Sequence, residues 1–136
     1  MRVLIALLFL LDALYGASIS WERNYPKALA KAKRADKALM VYLYLPHCGT
    51  CSYMNKNVFT DRDVVDYLEK NYVAVKLYTN DRGLPDELKS EMAPVFHFMD
   101  PQSSKRIETV MGGKNAEKFL ELLEESYDIF TQERRK

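Results

Sequence analysis

The chain has 136 residues, 48% of them hydrophobic and 29% charged, and its 20 basic and 19 acidic side chains leave a formal charge of +1. That length and apolar content suit one domain with its own core. The near-zero charge argues against a nucleic-acid partner, which needs a concentrated basic surface.

Met1 and Arg2 precede nine apolar residues, Val3 to Leu11, the pattern of a secretory signal. At about 1.5 Å per residue this run is far shorter than the roughly 30 Å hydrocarbon core, so it spans no membrane by itself. Cleavage is expected after Gly16, which gives a signal peptide of residues 1–16 and a mature chain from Ala17, exported to the periplasm or an equivalent compartment. Asp12 within the run and Leu14 near the cut depart from the usual pattern, and a retained N-terminal anchor is the competing reading.

The following stretch predicts a helix that begins near Pro26, with Ala28, Leu29 and Ala32 as its apolar stripe and its lysines in water. Residues 38–45 are almost wholly apolar, as in a strand covered on both faces. Pro46 and His47 make a bend, and then come the only two cysteines of the chain, in Cys48-Gly49-Thr50-Cys51. Ser52 to Asn57 continues a helix from the dithiol. Thr60 to Asp63 predicts a second helix start, with Thr60 as cap and Val64, Val65 and Leu68 as the buried face. Tyr72 to Tyr78 alternates as a strand, Asn80 to Gly83 makes a turn, and Pro85 opens a short helix through Glu91. Val95 to Met99 is a strand, turned by Asp100 to Ser104 into an antiparallel partner over Lys105 to Met111. After Gly112-Gly113, a final helix carries Ala116, Phe119, Leu120, Leu123 and Tyr127 at helical spacing. Residues 17–130 form the domain, and residues 131–136, ending Arg134-Arg135-Lys136, are expected to be a basic solvated tail.

A Cys-x-x-Cys pair between a strand and a helix suits thiol-disulfide exchange. The first sulfur meets outward-pointing backbone N–H groups that stabilise its thiolate, and the second lies one turn on, within disulfide reach. Closing so short a ring gains only about 2 kcal/mol of chain entropy, so a purely structural staple is a poor alternative. A metal site would need Cys48, Cys51, His47 and His97 together. His47 adjoins Cys48 and cannot easily turn to the same ion, while His97, between two phenylalanines on a strand, reads as core unless it faces the site. No metal ligand and no cofactor is assigned. Tyr42, Tyr44 and Phe96 to Phe98 are read as core.

The element order, the placement of the dithiol and the proline before the next-to-last strand together resemble the thioredoxin fold, over about Lys37 to Ser126. The fold class implied is α/β, a central mixed β-sheet flanked by helices. Cys48 to Cys51 followed by Val58-Phe59-Thr60-Asp61 and Val64 is most similar to the branch that includes the C-terminal domain of the transmembrane thiol:disulfide interchange reductase. The resemblance implies Cys48 as nucleophile and Cys51 as resolving thiol. It makes Pro94 a cis-proline against the dithiol, with the Ala93 backbone free to pair with an extended substrate. Lys76 matches a lysine beneath the site, and Gly112 the glycine ending the last strand. Two positions depart from the family pattern. Tyr42 replaces a buried acid, and His47 replaces the aromatic residue before the first cysteine. His47 as an imidazolium would favour the thiolate.

The expected function is therefore an exported thiol-disulfide oxidoreductase, a monomer acting on protein disulfides or thiols and coupled to an upstream redox partner. The alternative is a metal-carrier or peptide-binding protein that uses the same cleft without turnover.

Overall fold

The computed structural model describes residues 18–136, so the signal-peptide expectation for residues 1–16 lies outside the described residues. Helix α1, Tyr25–Ala35, begins where the Asn24 side chain accepts the Lys27 N–H at 2.9 Å, with Pro26 in the first turn where no N–H partner is lost. Ala28 and Ala32 are fully buried, and their small side chains let α1 lie close on the sheet.

Strand β1, Ala38–Tyr44, is central, which explains its unbroken apolar run. Strand β2, Tyr72–Tyr78, pairs with it in parallel, with Tyr42 opposite Lys76. Strand β3, Val95–Asp100, pairs antiparallel on the other side and puts Phe96 opposite Tyr42; β4, Lys105–Met111, completes the order β2-β1-β3-β4. Alternation along the strands splits the core in two. Leu39, Val41 and Leu43 pack with Val73, Val75 and α1 on one face, while Met40, Tyr42, Phe96 and Phe98 meet the remaining helices on the other.

That second face holds α3, Arg62–Asn71, and α4, Ala116–Glu133. Its centre is aromatic: Tyr42 stacks on Phe96 at 5.1 Å between centroids, and Phe119 meets Phe59 and Phe96 edge-on at 5.6 and 5.0 Å. The segment before α1, which carried no strand signal, adds a parallel bridge along the outer edge of β2. Glu22 N–H donates to the Ala74 carbonyl at 2.8 Å and its own carbonyl accepts from Lys76 N–H at 3.0 Å, so this edge is partly covered.

Four local expectations change. The helix carrying the dithiol, α2, spans only Gly49–Tyr53 and widens into a π-helical turn, Met54–Val58, whose Met54 and Val58 are both fully buried. Asp61, not Thr60, caps α3: its carboxylate accepts the N–H groups of Asp63 and Val64 at 3.1 Å, whereas the Thr60 hydroxyl donates to the Lys56 carbonyl. The helix expected from Pro85 to Glu91 shrinks to the 3-10 turn Asp86–Leu88, because Ser90 N–H turns away to the Thr79 carbonyl. The last helix continues to Glu133, past the boundary expected at residue 130. Phe130 is buried there, Lys105 pairs with Glu133 at 2.9 Å, and Arg134 pairs with Asp36.

Candidate redox site

The site forms at the end of β1, where the chain leaves the sheet through Pro46 and His47. His47 takes a left-handed backbone conformation, φ 59°, a region where non-glycine residues are uncommon. This turn delivers Cys48 in extended conformation to the start of α2 as its N-cap. The Cys51 N–H donates to Cys48 Sγ at 3.1 Å, so the first sulfur occupies the place a capping oxygen usually takes. An N–H aimed at sulfur favours its negatively charged form. Cys51, one turn on, is disulfide-bonded to Cys48 across a Cα separation of 5.2 Å. Cys48 is half-buried and Cys51 only 3% exposed, so an approaching molecule meets Cys48 first.

Pro94 lies across from this turn. The Ala93–Pro94 bond is cis, and the Ala93 carbonyl oxygen is 3.9 Å from Cys48 Sγ. The Pro94 carbonyl is engaged, accepting the Gly112 N–H at 2.9 Å. Gly112, φ 85°, ends β4 in a conformation that favours glycine. Its neighbour Gly113 has a separate reason to be glycine. A Cβ there would stand 2.5 Å from Thr50 Cγ2, inside the dithiol loop. Met92 and Met111, the sequence neighbours of Ala93 and Gly112, are 56% and 61% exposed.

Behind the sulfurs lies a cleft of about 580 Å³ whose walls include His47, Cys48, Cys51, Asn55 and Lys76. Lys76 is half-buried. Its ammonium donates to Asn55 Oδ1 at 3.3 Å and lies 5.0, 5.6 and 6.0 Å from the ring centroids of Tyr44, Tyr42 and Trp21. Burial, with Arg23 nearby, holds its pKa below the ordinary lysine value. Tyr42, where the resemblance leads one to look for an acid, is fully buried, its hydroxyl has no hydrogen-bond partner among the described residues, and burial raises its pKa to about 12. Tyr44, expected in the core, instead reaches the cleft and packs on Tyr78 at 4.6 Å.

His97 is not part of this arrangement. It alternates to the α1 face of β3, where a protonated Nε2 donates to the Leu88 carbonyl at 2.9 Å and Nδ1 accepts from the Thr109 hydroxyl at 2.8 Å. Both ring nitrogens are taken, which removes the second imidazole of a Cys/His metal set. Among the described residues, no three His, Cys, Asp or Glu side chains are grouped to hold a metal ion. Asn55, Trp21 and the two methionines carried no recognisable signal in the sequence, because their importance comes from the strands and turns that face them.

A helix-capping sulfur, reachable from outside and joined to a buried sulfur one turn away, is an arrangement that thiol-disulfide exchange can use. A family model described as thioredoxin-like matches residues 20–101, and the chain belongs to the thioredoxin-like family. Anterior gradient protein 3 of Xenopus tropicalis is 30% identical over 95 residues, 68% of this chain and 56% of that protein. The chain spans about half the length of the curated relatives it matches. Among solved structures, a putative disulphide-isomerase from Bacteroides thetaiotaomicron superposes with a TM-score of 0.70 at 26% identity, covering 82% of this chain and 95% of that one. The oxidised C-terminal domain of Neisseria meningitidis DsbD gives 0.61 at 19% identity, covering 74% and 90%, a likeness of fold. The thioredoxin-like resemblance and the fold class read from the sequence both hold.

Proposed function

We propose that this chain is an exported oxidoreductase that exchanges electrons with protein disulfides through Cys48 and Cys51. The observation that carries the reading is the asymmetry of the pair: Cys48 accepts the Cys51 N–H at 3.1 Å and can be reached from outside, while Cys51 is buried.

In the reducing direction, the Cys48 thiolate attacks one sulfur of a substrate disulfide, forming a mixed disulfide and releasing the other substrate sulfur as a thiolate that takes a proton from solvent. Cys51 then loses its proton to water and attacks Cys48 Sγ. The Cys48–Cys51 bond forms, the second substrate thiolate leaves, and two electrons have passed from the protein to the substrate. The oxidising direction reverses every step. No further cofactor enters this chemistry, since the dithiol carries the electrons. The Ala93 carbonyl beside Cys48 supports a role for Ala93 and Pro94 as the backbone platform for an extended substrate segment, and the apolar Met92 and Met111 suit its side chains. His47 and Lys76 are the modulating groups of the pair. The protein works as a monomer with an upstream redox partner.

Two measurements test this. Cys48→Ser should abolish reduction of a protein disulfide, and in the reduced wild type iodoacetamide at mildly acid pH should alkylate Cys48 well before Cys51. Binding of a peptide that survives Cys48→Ser, with no turnover by the wild type, would instead establish a carrier. Equal alkylation rates would overturn the assignment of roles.

A further inference from the structure

We propose that Asn55 is a positioning residue that holds the Lys76 ammonium toward the dithiol, and that this cation, with no carboxylate among the residues lining the cleft, biases the pair toward its reduced form. The inference rests on the dithiol being redox-active and adds to it a device that sets the poise.

The geometry has three parts. Asn55 lies one turn beyond Cys51, and both line the cleft with Lys76. Its Oδ1 takes the Lys76 ammonium at 3.3 Å, a contact from the dithiol helix region to the edge strand. From the sheet side, the rings of Tyr44, Tyr42 and Trp21 surround the same ammonium at 5.0 to 6.0 Å. Aromatic faces attract a cation without neutralising it, and an amide oxygen does the same. Among the described residues, the cleft walls contain no Asp or Glu.

Among the described residues, the other charged or titratable groups around Lys76 add no negative charge at neutral pH. Arg23 repels it, Tyr42 and Tyr44 stay protonated with pKa values raised chiefly by burial, and His47 lines the same cleft. Breaking the S–S bond with two electrons from a donor dithiol, itself oxidised to a disulfide, places negative charge on a Cys48 thiolate. An unneutralised cation in the same cleft favours that product over the uncharged disulfide. The device therefore makes the disulfide a better oxidant.

The test is the equilibrium of the full chain with glutathione buffers, read by alkylation and mass and by the fluorescence of Trp21, the single tryptophan. Lys76→Met should shift the equilibrium constant about tenfold toward the disulfide, about 30 mV for a two-electron couple. Asn55→Asp, whose carboxylate would neutralise Lys76, should shift it in the same direction. Asn55→Ala should give a smaller shift that disappears in the Lys76→Met background, because Asn55 acts only through the ammonium. An unchanged constant in folded Lys76→Met, checked with Lys76→Gln, would overturn the proposal. So would an Asn55→Ala shift of equal size in both backgrounds. A wild-type dithiol that never equilibrates with glutathione would defeat the redox reading itself, whereas normal equilibration with unresponsive variants would defeat this inference alone.

Discussion

His97 is 4% exposed, and in its neutral Nε2–H form both ring nitrogens are satisfied, by the Leu88 carbonyl and the Thr109 hydroxyl. Burial outweighs the Leu88 carbonyl bond and holds its pKa below 6.5, with Arg106 adding to the effect. The unfolded chain therefore binds a proton more readily than the folded one. The stability this confers is present above pH 6.5 and is lost as pH falls from there toward the lower folded-state value. Urea unfolding at pH 7.5 and at pH 5 should show a larger loss for the wild type than for His97→Gln. Equal losses would mean that the imidazole is not the group responsible. Sequence could place His97 between Phe96 and Phe98 but could not say which face it took, because a partner for each nitrogen comes from separate segments, the Leu88 turn and Thr109 of β4. Lys76 shows the same limit: its position on a strand was legible, whereas its engagement by Asn55 and three rings was not.

At the scale of elements, the helices announced themselves through apolar spacing, while their ends depended on which side chain reached the free N–H groups. Thr60 and Asp61 are adjacent and both are good caps by type. Only Asp61 bonds the first turn of α3, since the Thr60 hydroxyl is used by the preceding π-helical turn. Asp61→Ala should lower stability by about 1 kcal/mol. Thr60→Ala should cost less, and denaturant midpoints at constant slope would distinguish the two. The reverse order would return the cap to Thr60. The π-helical turn itself had no sequence signature. It places Met54 and Val58 in the same core as Phe59, and the burial of three neighbouring apolar groups outweighs the poorer hydrogen-bond geometry of one turn.

For the whole molecule, the expectation of export makes a direct prediction about the chain in its native host. No helix among the described residues is long and apolar enough to cross a membrane. The run Val3 to Leu11 is too short to do so, and the proposal that residues 1–16 are a cleaved signal gives a definite expected outcome. Mass spectrometry of the mature protein should find an N-terminus near Ala17. A chain still carrying Met1 to Leu11 would point to an anchored protein and would remove the case for export.

The sequence alone determined the order of elements, the central buried strand and the identity of the dithiol, because these depend on short-range periodicity and on two residues that occur nowhere else in the chain. Its local pattern also carried the family, since the motif and the proline keep a fixed order along the chain. Tertiary structure decided what surrounds the sulfurs. Ala93 and Gly112 meet Cys48 and Pro94 only once β3 and β4 are paired, and Asn55 reaches Lys76 only because β2 lies parallel to β1 with Tyr42 opposite Lys76. A charge or a carbonyl acts over a few ångströms of space. Sequence separation does not report that distance, so the electrostatics of the dithiol became readable only in the folded chain.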